Sequence, residues 1–144
     1  MITIKKSVIV AHSASEMFEL VDTVENYPQF LPWCSKSEVI KREDNVLEAI
    51  IHMDYMKIKQ HFGSRNYNIP NQEIHMTLLT GPFKHLDGLW HFKTLGASSC
   101  KIEFELNYEF SNVILSKLIG PAFGIISNNL VNSFIKEANR RYGK

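Results

Sequence analysis

A chain of 144 residues with 44% hydrophobic and 22% charged side chains reads as one globular domain, 1–144, and excludes a disordered chain. Sixteen Lys and Arg against fifteen Asp and Glu leave a net charge of +1, so no global field drives it onto DNA or anionic lipid. Its two cysteines, Cys34 and Cys100, lie in unrelated contexts, which suggests neither a disulfide framework nor a metal site and fits a reducing, cytoplasmic compartment.

The first alternation, Ile2, Ile4, Val8 and Val10, predicts an N-terminal strand. Its apolar run from Val8 to Ala11 is far shorter than a signal-peptide core of ~7–15 residues, and no segment is expected to reach the ~20 apolar residues of a membrane-spanning helix. "SASE" at 13–16 reads as a capping box, with Ser13 capping and Glu16 reaching back. Met17, Leu20, Val21 and Val24 then form an apolar helical stripe that stops before Pro28.

The next stretch, "ENYPQFLPWC" at 25–34, is unusual. It carries Tyr27, Phe30, Leu31 and Trp33 where Pro28 and Pro32 rule out a long helix, although connecting segments are ordinarily polar. An apolar connection stiffened by prolines needs something apolar to cover.

Strand signals follow. Leu47, Ala49, Ile51, Met53 and Tyr55 share one phase, as do Ile74, Met76 and Leu78, and then Leu86, Trp90 and Phe92. The clearest is "SCKIEFELNYEF" at 99–110, in which Cys100, Ile102, Phe104, Leu106, Tyr108 and Phe110 alternate with polar residues. Turn chemistry at 42–45, 70–72, 81–83 and 96–99 separates these runs, as in an antiparallel sheet with one wet face. Between Ile58 and Ile69 the phase slips: Ile58 and Phe62 are even, Tyr67 and Ile69 odd. Gly63 at the slip predicts a β-bulge, which bends a strand and curves its sheet. Arg65 then shares the phase of Tyr67 and turns inward; a bulge one residue later would leave it on the surface.

From about Asn112 to Tyr142, Leu115, Leu118, Ile119, Ala122, Phe123, Ile126, Leu130, Phe134 and Ala138 recur at helical spacing. Pro121 is expected to kink or break this helix. The order is one strand, two short helices, six strands and a long C-terminal helix. Such a helix can bury its stripe only against the sheet, and on a curved sheet it bridges the concavity. The expected architecture is α+β: a curved antiparallel sheet of about seven strands gripping the last helix, with a chamber between them.

The search for chemistry mostly finds none. His52, His61, His75, His85 and His91 all lie opposite the apolar residues of their strands and are expected to face solvent. No metal, phosphate-loop, dinucleotide or nucleophile-elbow motif occurs. The inward inventory (Tyr55, Tyr67, Tyr108, Cys100 and Arg65) holds no carboxylate or histidine for general acid–base work, so no enzymatic activity is expected. Arg65 would instead donate to a polar ligand head, such as a quinone carbonyl. A ligand-sized chamber of ~300–1,000 Å³, left empty, would cost on the order of 7–24 kcal/mol, against a domain stability of ~5–15 kcal/mol. It must therefore hold a ligand or water, or collapse in part.

Together, "ENYPQFLPWC", "GPFKHLDGLWHF" (81–92) and "IEFELNYEF" (102–110) resemble the RatA and coenzyme Q-binding family of START-like (SRPBCC) proteins, the oligoketide cyclase group, and most of all its bacterial RatA branch. The resemblance covers essentially the whole chain and implies the helix-grip fold. It also implies one of two activities, which the motifs do not separate. One is non-enzymatic binding of ubiquinone or a related isoprenoid lipid in support of respiration. The other is a toxin's binding of the large ribosomal subunit, blocking subunit joining; a polyketide cyclase-like activity ranks below both. The candidate ligand-binding set is Tyr27, Phe30, Leu31, Trp33, Tyr55, Arg65, Tyr67, Trp90, Phe92, Tyr108 and Phe123, with no covalent cofactor. Expected partners are a hydrophobic small molecule, the large ribosomal subunit under the second activity, and the inner membrane as a peripheral contact.

Overall fold

The computed structural model describes residues 1–143. Strand β1 (Ile2–Val10) leads into α1 (Ala14–Asp22), a 3-10 turn (Val24–Asn26) and the one-turn helix α2 (Tyr27–Phe30). Six strands follow: β2 (Cys34–Glu43), β3 (Val46–Tyr55), β4 (Ile58–Ile69), β5 (Glu73–Thr80), β6 (Phe83–Gly96) and β7 (Ser99–Phe110). Helix α3 (Val113–Tyr142) completes the order. All seven strands form one antiparallel sheet, β1-β7-β6-β5-β4-β3-β2. The α+β helix-grip expectation is therefore met, with α3 packed on β1, β4 and β7 of the concave face.

Both halves of the capping box form. Glu16 N donates to Ser13 Oγ at 3.1 Å, and Ser13 N to Glu16 Oε1 at 3.0 Å. Pro28 sits in the first turn of α2, where a missing N–H costs nothing, and the chain leaves the helix at Leu31 in extended conformation. Two hairpins close through residues in the left-handed region, Asp44–Asn45 and Met56–Lys57, the backbone of type I′ turns.

Of the two outcomes expected at Pro121, a break does not occur: α3 runs continuously through it. Pro121 and Lys117, whose carbonyl the proline leaves without an i+4 donor, both lie on the solvent side, where that carbonyl can be hydrated. Leu118 is exposed rather than buried: with Ile114, Pro121 and Ile125 it forms a second apolar stripe on the outer side of the helix. Because both sides are apolar here, an 18-residue window of α3 has mean hydropathy 1.3, so by length and composition alone it could cross a membrane. This runs against the expectation from sequence that no segment reaches that length and apolarity.

The correction with most consequence concerns β4. The register shift near Gly63 lies on the opposite strand: Gly63 pairs with Thr80 and Ser64 with Leu78, so the extra residue is Leu79 of β5. A Cβ at position 63 would come within 2.8 Å of Thr80 Oγ1, which is why glycine stands there. β4 itself pairs with β3 without a slip, so its even residues face inward throughout. Ser64 and Asn66 are buried, while Arg65, Tyr67 and Ile69 face out.

Candidate functional site

Two aromatic clusters hold α3 to the sheet. In its first half, Phe123 packs on Phe83 (5.1 Å between ring centroids) and Tyr108 (4.8 Å), with Phe110 stacked on Phe83 at 4.9 Å. In its second half, Phe134 meets Trp90 (5.4 Å), Tyr27 (5.4 Å) and Phe30 (5.6 Å). Between these clusters Ile126, Ser127 and Leu130 face Ala49 and Ile51 of β3 and Phe62, Ser64 and Asn66 of β4 across a gap. Among these, Ala49, Ser64, Asn66 and Ser127 are too short to bridge it, and the two layers do not close.

The result is a cavity of about 90 Å³, walled by Val24, Tyr27, Trp33, Trp90, Phe104 and Leu106 besides the residues just named. It is much smaller than the expected chamber. At ~24 cal/mol per Å³ a hole of that size costs only about 2 kcal/mol, which a domain can carry. The chamber has thus taken the partly collapsed form. A ligand of drug or lipid size must spread α3 and the 24–33 segment from the sheet as it enters. Five wall residues, Tyr27, Trp33, Phe62, Met76 and Leu130, are only half-buried.

The wall is almost wholly apolar, and among the described residues Tyr27 is its only titratable member. The Tyr27 hydroxyl donates to the Val21 carbonyl, and burial, helped by the nearby Asp22 carboxylate, holds its pKa far above the usual phenol value. Cys34 and Cys100 are buried beside the core, and desolvation pushes both thiols up to about 11. None of these groups is a base or nucleophile near neutral pH.

Of the eleven candidate residues, Tyr27, Trp33, Trp90 and Phe123 line the cavity. Five others are structural neighbours of it. Leu31 is fully buried; Phe92 packs on Trp90 and Phe18; Tyr108 belongs to the first aromatic cluster. Phe30 lies between Phe134 and Arg141, whose guanidinium sits 5.7 Å above its ring. Tyr55 packs against the core at the far end of β3. The remaining two are corrected outright. Arg65 points away from the cavity, its Nε 2.7 Å from Glu48 Oε2 on the outer face, its side chain 41% exposed. Tyr67, 45% exposed, shares that face. The cause is the unbroken phase of β4. Reading that strand in one phase would have brought Ser64 and Asn66 inward with Phe62; Ser127, in contrast, looks like an ordinary helix residue.

The five strand histidines all lie on the outer face, as expected. His52 pairs with Glu38 (2.7 Å), His75 with Asp87 (3.0 Å) and His91 with Glu103 (3.2 Å). No cluster of three potential metal ligands occurs among the described residues. The sixth, His12, is buried, its Nε2 2.8 Å from Asn139 Oδ1, where it ties the connection between β1 and α1 to the end of α3.

A sheet gripping a helix over an apolar cavity can be compared with known proteins. Residues 10–135 match the family model of polyketide cyclase / dehydrase and lipid transport proteins. The chain belongs to this family. A relative in Pseudomonas aeruginosa, named ribosome association toxin RatA, is 35% identical over 140 residues, 97% of each chain. A mitochondrial coenzyme Q-binding protein homologue of Xenopus laevis is 28% identical over 96% of this chain but 59% of its own. Among solved structures, the Zhui aromatase/cyclase of Streptomyces sp. R1128 superposes with a TM-score of 0.82 over 98% of this chain and 95% of that one. At 20% identity that likeness shows the fold alone.

Proposed function

We propose that this protein binds a hydrophobic small molecule, ubiquinone or a related isoprenoid lipid, between α3 and strands β3–β4, without transforming it. One observation carries the reading: the cavity wall is almost wholly apolar and holds no group able to move a proton near neutral pH. The outer stripe Ile114–Leu118–Pro121–Ile125 supports a peripheral contact with a membrane, where such a ligand dissolves. The protein's two tryptophans, Trp33 and Trp90, both stand in the cavity wall, so its indole fluorescence reports on this site. Titration with a short-chain ubiquinone is expected to quench that fluorescence saturably, and Trp33→Ala to weaken binding about tenfold or more. Linear, unsaturable quenching together with no solvent-extractable lipid in purified protein would contradict the proposal.

A second reading is favoured by the name of the Pseudomonas relative, which matches over nearly the full length of both chains. On it, the protein binds the large ribosomal subunit and hinders subunit joining. Overexpression then lowers the assembled-ribosome peak in a sucrose gradient, and an unchanged profile removes this reading. A cyclase activity stands below both, because its acid–base pair has no counterpart in the cavity.

A further inference from the structure

The cavity is not uniformly greasy. Asn66, 6% exposed, stands in its wall with an amide oxygen that has no protein hydrogen-bond partner. Ser127, 2% exposed, reaches the same cavity from α3, and Ser64 lies two residues along β4 on the same face. Elsewhere on this strand Arg65 is paired with Glu48, and Asn68, which lies outside the cavity wall, donates from Nδ2 to Asp22 Oδ1 at 2.8 Å while its own amide oxygen also lacks a partner.

An unmet amide in an apolar wall is costly, and replacing it by a hydrocarbon of similar shape is ordinarily neutral or stabilising. A buried Asn whose amide oxygen has no protein partner, in the wall of a hole that Ser64 and Ser127 also line, is placed to meet something that enters. Whichever way its oxygen and nitrogen are assigned, the amide presents one acceptor and one donor.

We propose that Asn66, with Ser64 and Ser127, is the polar anchor of this cavity, and that its ligand is an amphiphile with a hydroxyl or carbonyl group that hydrogen-bonds the Asn66 amide. The inference rests on the cavity being a ligand site, as proposed above, and narrows the ligand class: pure hydrocarbons and charged heads are disfavoured. It also reassigns the role first expected of Arg65 to its neighbour in the chain. A neutral amide can serve a neutral head without stranding a charge in an apolar wall.

The test uses two small probes of similar shape, cyclohexanol and methylcyclohexane, titrated into the full-length protein while the indole N–H signals of Trp33 and Trp90 are followed by NMR. In Asn66→Leu the ratio of the two dissociation constants is expected to shift about tenfold toward methylcyclohexane, the worth of one buried neutral hydrogen bond. Ser127→Ala is expected to shift it in the same direction by about threefold, which keeps the test open should Asn66→Leu fold poorly. An unchanged ratio in both variants, with both probes still binding, overturns the anchor while leaving the hydrophobic site intact. If neither probe perturbs the wild-type indoles, the ligand site itself is refuted, and the anchor with it.

Discussion

Strands β7 and β4 are each 12 residues long and belong to one sheet, yet they meet α3 in opposite ways. Every inward residue of β7, from Cys100 to Phe110, is buried, and of these Phe104 and Leu106 alone reach the cavity wall. Of the inward residues of β4, a half-buried Phe62 and the buried Ser64 and Asn66 stand in the cavity wall, and over them the core stops short. The difference shows where this fold is dense and where it is hollow. The β1–β7–β6 side supplies stability through large interlocking aromatics, and the β3–β4 side, with Ala49, Ser64 and Asn66 in the cavity wall, leaves a gap beneath α3.

The packed side should be intolerant of loss. Phe83→Ala removes the ring shared by Phe62, Tyr108, Phe110 and Phe123 and is expected to cost about 3–5 kcal/mol in urea unfolding. Equal enlargements then separate the two sides. Ala122→Leu, on the buried face of α3 outside the cavity, should cost about 1–3 kcal/mol by overpacking. Ala49→Leu, in the cavity wall, should cost less than about 1 kcal/mol and abolish ubiquinone quenching.

Smaller effects probe the end of α3 and the outer face. Glu137 is buried and accepts from Arg140 Nε at 2.8 Å and Arg141 Nε at 2.6 Å, and these bonds lower its pKa from 4.5 to about 2. A depressed carboxylate stabilises the fold above its unfolded value and loses that contribution as pH falls from about 4.5 to about 2. Glu137→Gln should therefore lower stability by about 1 kcal/mol at pH 7, allowing for screening at exposed Arg140, and flatten thermal melts across that acid window. Arg65→Met should change stability by no more than about 0.5 kcal/mol and leave quinone affinity unaltered, since its ion pair lies on the outer face. A clear affinity loss would return Arg65 to the site.

The legible parts of the fold are those where one physical signal acts alone. In β7 the alternation of apolar and charged residues is unopposed, and the Ser13–Glu16 box has both its partners. In β4 two signals conflict: the cavity wall holds inward polar residues, Ser64 and Asn66, and Tyr67 and Ile69 place apolar ones outward, so the pattern imitates a phase slip. The bulge was real but sat across the ladder at Leu79, where no glycine marks it. The Met56–Lys57 turn was equally hidden, since both residues take left-handed backbone without Gly or Asn. The lid residues Tyr27 and Trp33 were readable from their apolar character alone, whereas Leu31 and Phe92 share that character and are core. Hydrophobicity marks what is kept from water without saying whether protein or guest covers it.

Native mass spectrometry of the protein purified from its own host, beside Ala49→Leu, weighs the central claim most directly. A hollow that exists to be occupied should give the wild-type chain an adduct of a few hundred daltons or more that organic solvent strips away, and the filled variant none. Bare polypeptide mass for both would mean that the gap beneath α3 is merely imperfect packing.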